Sequence, residues 1–185
     1  MKWGSQKKSI ALGLLVLAVT LPFIAAATTA NLPRFGVTVN FPTTLDVFTR
    51  DMAQDDPVLK LYGLTADEAR SQLDSEGLDV MAVDIAGTFT LTLQVRADDR
   101  TLADMDAQTL TALAAAYKGQ AYELFTARGN PYILIKADNG VDLACVFLGG
   151  GMRYELMLNA NHRLSASMVS LLKGIAANTD FDLGQ

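Results

Sequence analysis

The stretch Leu78–Val95, LDVMAVDIAGTFTLTLQV, constrains the fold of this chain more than any other. In its second half Phe89, Leu91, Leu93 and Val95 alternate with Thr88, Thr90, Thr92 and Gln94. An apolar face thus opposes a hydroxylated one at the two-residue period of a β-strand. In its first half Met81, Val83 and Ile85 share one parity and Leu78, Val80 and Ala82 the other. Both faces are apolar, as in a strand covered on both sides. Ala86-Gly87 between the halves predicts a hairpin turn, since glycine reaches positive φ without a Cβ clash. This hairpin is expected at the centre of a sheet.

Downstream, Leu110, Leu113, Ala114, Tyr117, Ala121, Leu124 and Phe125 recur at intervals of three and four, which predicts one long amphipathic helix ending at Gly129. Tyr132–Ala137 and Val141–Leu148 are strands around Asn139-Gly140, a pair suited to a type I′ turn. Gly149-Gly150-Gly151 turns the chain into a strand with Met152, Tyr154, Leu156 and Leu158 on one face. Leu164, Met168, Leu171, Leu172 and Ile175 stripe a closing helix.

Upstream, Phe35, Val37, Val39 and Phe41 alternate with Gly36, Thr38 and Asn40, and Pro42-Thr43 leads into Leu45–Thr49, which predicts an edge-like hairpin. The acidic, proline-broken stretch Asp51–Gly63 is expected as a long connection with one helical turn. Thr65-Ala66-Asp67-Glu68 is a capping box that starts a helix, and Gly77 stops it. The expected class is α+β, an antiparallel sheet sandwiched by helices in the order ββ-α-ββ-α-βββ-α.

The chain has 185 residues, room for a leader and one domain of ordinary size. Residues 1–30 carry Lys2, Lys7 and Lys8, an apolar run from Ile10 to Leu21, and the small tract AAATTA. That tripartite pattern is an export signal, either cleaved at Ala25-Ala26-Ala27 or at Thr28-Thr29-Ala30, or retained as a membrane anchor. The positive-inside rule then places residues 31–185, one α+β domain, outside the cytoplasmic membrane. Of the formal charge of −5, the leader supplies +3, so the rest carries −5 − 3 = −8. An acidic body argues against nucleic acid or an anionic lipid surface as partner. Cys145 is the only cysteine, so the domain depends on packing without an internal disulfide.

Several local strings, taken together, resemble a known family: Phe35-Gly-Val-Thr-Val-Asn-Phe-Pro42, the helix start GLTADEA at Gly63–Ala69, VMAVD at Val80–Asp84 with TLTLQV at Thr90–Val95, a long helix, and the Asn139-Gly140 hairpin before a last strand and helix. Over about residues 35–181 this order is similar to the Mog1/PsbP-like superfamily, as found in exported proteins of Gram-positive bacteria. The resemblance implies an antiparallel sheet between helices and an accessory, partner-binding role. Relatives that bind a small GTPase or a photosystem do so through interfaces that no residue here matches.

Catalytic and metal motifs are thin. His162 is the only histidine and has no nucleophile or orienting acid beside it in sequence. Cys145 shares its parity with Leu143 and Phe147 and is expected in the core. One Cys and one His do not make a closed zinc site. Gly149-Gly150-Gly151 precedes a strand and lacks the Lys-Ser/Thr of a phosphate loop, and Gly36 and Gly87 open no dinucleotide fingerprint. Asp51, Asp55 and Asp56 lack the calcium-loop spacing, and Asp98-Asp99 and Asp104, Asp106 sit in polar connections. No cofactor or metal is expected, and no enzyme activity.

The expected function is therefore that of an exported non-enzymatic accessory domain, monomeric, acting by contact with another protein whose identity the sequence does not carry. A small-ligand carrier and a hydrolase are the alternatives. The candidate contact residues are Val58, Leu59, Leu61 and Tyr62, apolar side chains in a connection longer than most. The competing assignment for them is a cover over an open end of the sheet.

Overall fold

The computed structural model describes residues 28–181, which form ten strands and four α-helices. In chain order these are β1 (Thr28–Leu32), β2 (Val37–Phe41), β3 (Leu45–Thr49), α1 (Pro57–Tyr62), α2 (Ala66–Glu76), β4 (Val80–Asp84), β5 (Phe89–Ala97), α3 (Ala107–Ala116), β6 (Ala121–Ala127), β7 (Asn130–Lys136), β8 (Asp142–Gly149), β9 (Met152–Ala160), α4 (Ala166–Ala177) and β10 (Thr179–Phe181). Short 3₁₀ turns lie at Pro33–Phe35 and Leu102–Asp104. Seven strands make one antiparallel sheet in the order β3-β4-β5-β9-β8-β7-β6, and three make a second in the order β1-β2-β10. The class is α+β, as expected.

The main core lies between the two sheets and α4. Leu91, Leu93 and Val95 of β5, Leu156 and Leu158 of β9, and Leu143 and Cys145 of β8 meet Val37, Val39 and Phe41 of β2 and Leu172 and Ile175 of α4. The other face of the large sheet has two separate covers. Over β3 and β4, Phe48, Met81 and Val83 pack against Leu59 of α1 and Ala69 of α2. Over β7 and β8, Ile133, Ile135, Val146 and Leu148 pack against Leu110 and Leu113 of α3. Thus β4 is covered on both faces, as its doubly apolar sequence requires.

Helix starts follow local chemistry. The Thr65 hydroxyl accepts from Glu68 N and the Glu68 carboxylate accepts from Thr65 N, closing the capping box of α2. Asp56, Asp106 and Ser165 cap α1, α3 and α4 in the same manner.

Three expectations are corrected. First, β2 and β3 are not a hairpin. Both edges of β2 are occupied, by β1 and by β10, so β3 crosses into the large sheet and pairs with β4. Second, β1 begins at Thr28, and Ala30 is fully buried opposite Val39. The folded unit therefore starts before residue 31, and a cut after Ala30 would remove three of the five pairs joining β1 to β2. The rest of the leader lies outside the described residues, and among the described residues no helix is long and apolar enough to cross a membrane.

Third, the long helix stops at Ala116 and the chain re-forms as β6, paired along its length with β7. Lys118 takes a left-handed conformation (φ 57°) that ends the helix. Arg128 and Gly129 are both at positive φ, 49° and 79°, as a two-residue type I′ hairpin turn requires. Gly150 and Gly151 do the same between β8 and β9, with φ of 61° and 72°. At Asn139-Gly140 only the glycine is at positive φ. There the Asn139 side chain accepts from the amides of Val141 and Asp142 in a longer loop.

Candidate functional site

The segment with the four sequence-selected contact residues is helical in its second half. Asp56 caps it, Pro57 occupies the first turn, and Gly63 ends it at φ 64°. Leu59 is fully buried. Val58 and Tyr62 pack against the same cluster, and the Tyr62 ring meets Phe48 edge-on at 5.1 Å. The Tyr62 hydroxyl donates to Asp46 Oδ2 at 3.0 Å. Burial raises the Asp46 pKa, and burial with the neighbouring Asp46 charge raises that of Tyr62. Leu59 thus lies on the inward, apolar face of α1, which covers β3 and β4. Leu61, 48% exposed, is the member of the four that solvent reaches most.

The catalytic candidates are not brought together. Cys145 is buried in β8, and burial pushes its thiol up to about 12. His162 is exposed beyond the end of β9. Asp106 caps α3, Asp104 accepts from the Thr101 hydroxyl, and Asp51 accepts from the Thr49 hydroxyl. Among the described residues no group of three or more His, Cys, Asp or Glu is placed to hold a metal ion. Between the two sheets a cavity of about 20 Å³ is lined by Val37, Tyr132, Cys145, Phe147, Thr179 and Phe181. It has room for about one water, where a ligand site of ordinary size needs roughly 300 Å³ or more. A carrier function finds no support in it.

Two features missed by sequence reasoning stand out instead. The first is the edge of the large sheet. Its two outer strands differ sharply: β3 buries Leu45, Val47 and Phe48, whereas no residue of β6 is buried. Leu124 is 52% exposed, the highest value among the large exposed apolar side chains. On the opposite face Phe125 stacks on Tyr132 at 5.2 Å. Proteins usually blunt an outer strand by shortness, proline or charge. Here β6 runs for seven residues, AYELFTA, without proline. Its one charge, Glu123, is neutralised by Lys173 of α4 at 2.5 Å.

The second feature is a polar band between the two helical covers. It is floored by Thr90, Thr92 and Gln94 of β5 and by Asn159 and Met157 of β9, all at least partly exposed. At its end near the Gly150-Gly151 turn, Arg96 lies directly across from Arg153. Arg153 Nε is 2.6 Å from Glu155 Oε1, without the alignment of a normal hydrogen bond. Asp98 is gripped by Arg100 through two contacts, at 2.8 and 2.6 Å. Those hydrogen bonds hold the Asp98 carboxyl down to about 2. Tyr117, at the end of α3, packs against the cluster under that helix, and its buried hydroxyl faces the Glu155 carboxylate.

No family model matches the chain, and no curated protein matches it. Among solved structures it is similar to the solution structure of cyanobacterial PsbP (CyanoP) from Synechocystis sp. PCC 6803, with a TM-score of 0.51 at 15% identity, over 90% of this chain and 99% of that one. The fold is therefore PsbP-like, as the sequence resemblance implied.

Proposed function

We propose that this protein is an exported, non-enzymatic accessory domain of the bacterial cell envelope that works by contact with another protein, and that β6 is where the partner adds. The open β6 edge carries the proposal. A strand with free outward N–H and C=O groups and an accessible leucine is a template for an added strand, in which backbone bonds give affinity and alternate side chains give selectivity. The tripartite leader supports the export part, and the PsbP-like fold is in keeping with a partner-binding role. Leu61, exposed on α1, remains a secondary contact.

A photo-crosslinking residue placed at Leu124, and separately at the exposed Thr111 of α3, tests this in intact cells. One discrete adduct is expected at position 124 and none at 111. Leu124→Lys should cut that adduct's yield at least tenfold while stability stays within about 0.5 kcal/mol, as for other surface changes. Equal labelling at both positions, or an adduct that survives Leu124→Lys, contradicts the assignment.

A further inference from the structure

We propose that the strand added at β6 is β6 of a second copy of this chain, paired antiparallel about a two-fold axis at Leu124. This rests on the open-edge reading above and names its partner. The turn at Arg128-Gly129 is two residues long, so the flanking pair Ala127 and Asn130 exchanges both backbone bonds, and bonding then alternates along the strand. Ala121, Glu123, Phe125 and Ala127 therefore bond inward to β7, while Tyr122, Leu124 and Thr126 turn their N–H and C=O groups outward. Pro131, which has no N–H to give, lies opposite Thr126 at a non-bonded position, in accord with this phase. Among the described residues no other strand pairs with the outer side of β6.

An antiparallel copy uses all three outward residues in one register alone. With Leu124 opposite its own mate, Tyr122 meets Thr126 of the second copy and Thr126 meets its Tyr122, and each of these pairs exchanges two backbone bonds. The side chains fit the same register. Ala121 falls opposite Ala127 and Glu123 opposite Phe125, so no like charges meet. A slip by one pair toward the N-terminus sets Glu123 against its own mate, a destabilising like-charge contact, and loses a bonded pair. A slip the other way also loses a bonded pair. Lys173 of α4 reinforces the seam: its ammonium lies 5.2 Å from the Phe125 ring centroid and pairs with Glu123 of its own strand. Because Phe125 faces the second copy's Glu123, each Lys173 stands between carboxylates of the two chains. The contact is isologous, the same edge on both copies. One strand edge is small beside the roughly 1,600 Å² of a standard interface, so the pair is transient and the chain is monomeric in dilute solution, where the outward amides stay open to exchange.

The test is disulfide trapping of the full-length protein in intact cells under a mild oxidant. Directly opposite residues at a bonded position lie about 5.5 Å apart between Cα atoms, within disulfide reach. Leu124→Cys is therefore expected to give a linked species of twice the chain's mass that a reductant reverses. The parent, whose single thiol is the buried Cys145, should give none. Tyr122→Cys alone should also give none, since its mate lies four residues further along the strand, about 13 Å away. Tyr122→Cys co-expressed with Thr126→Cys should link. Absence of the Leu124→Cys dimer, absence of the mixed link, or self-linking of Tyr122→Cys equal to that of Leu124→Cys overturns the two-fold pair. The photo-crosslinking residue at Leu124 separates this inference from the reading beneath it. An adduct with a different protein, without the self-link, overturns the second copy and keeps the open edge, whereas neither adduct nor link removes both.

Discussion

Leu172→Asp is expected to abolish the cooperative thermal transition. Leu172 is fully buried on the inner face of α4, in the cluster that joins both sheets. Truncation to alanine at such a site costs about 2–5 kcal/mol through lost burial and the cavity left behind. An aspartate also places an unpaired carboxylate in apolar surroundings, a further penalty of several kcal/mol. Together these approach the whole stability of a domain, about 5–15 kcal/mol. Ser170→Asp, on the exposed side of the same helix, should stay within about 0.5 kcal/mol of the parent. Circular dichroism melts of the two variants decide the matter. A cooperative melt in Leu172→Asp at the parent temperature would mean that α4 does not close the core.

Gly119→Ala is expected to destabilise by about 1–3 kcal/mol, the range for overpacking a filled site. A Cβ at that position would lie 2.4 Å from Ile135 Cγ2 and 2.9 Å from the Lys136 carbonyl oxygen. The second contact is backbone in β7, which cannot swing aside as a side chain would. Gly174→Ala gives the opposite sign. It lies within α4 with nothing within 4 Å of an added Cβ, and alanine there should stabilise by about 0.5–1 kcal/mol through helix propensity and a less flexible unfolded chain. Chemical denaturation of both variants reads the two signs. A neutral Gly119→Ala would mean that the chain between α3 and β6 does not pass so close to β7.

The comparison of these two glycines shows what was legible in the sequence. Local patterns that close within a few residues were readable: the alternation of Phe89–Val95, the Thr65–Glu68 capping box and the stripe of α4 all form as expected. The register that depends on distant partners was not. Ala121, Leu124 and Phe125 continue the three-and-four spacing of α3, yet they lie in β6, where pairing with β7 overrides the helical period. The decisive signal was Gly119, a glycine whose missing Cβ makes room for another strand, and one glycine in a periodic stretch does not announce that role. The β2–β3 separation has the same cause, since it depends on β10, more than 130 residues downstream of β2.

The candidate surfaces follow this division. Val58, Leu59, Leu61 and Tyr62 were chosen as apolar residues in a long connection, and burial splits them by the inward and outward faces of one short helix. Arg96 and Arg153 are 57 positions apart and meet only because β5 pairs with β9 in one particular register. The alternation places Arg96 on the hydroxylated face of β5, but nothing in the sequence names the strand beside it. The β6 edge was hidden by the helix assignment itself.

Amide hydrogen exchange across Ala121–Ala127, followed by NMR residue by residue, tests the open edge most directly. In an antiparallel edge strand only every second amide donates to its neighbour, and the others face solvent. The structure predicts alternating protection along β6, with the outward amides exchanging close to the unstructured rate and the inward ones slowed by their bonds to β7. Uniform protection of all seven residues would mean a helix, or an edge already covered, and would contradict the β6 docking strand.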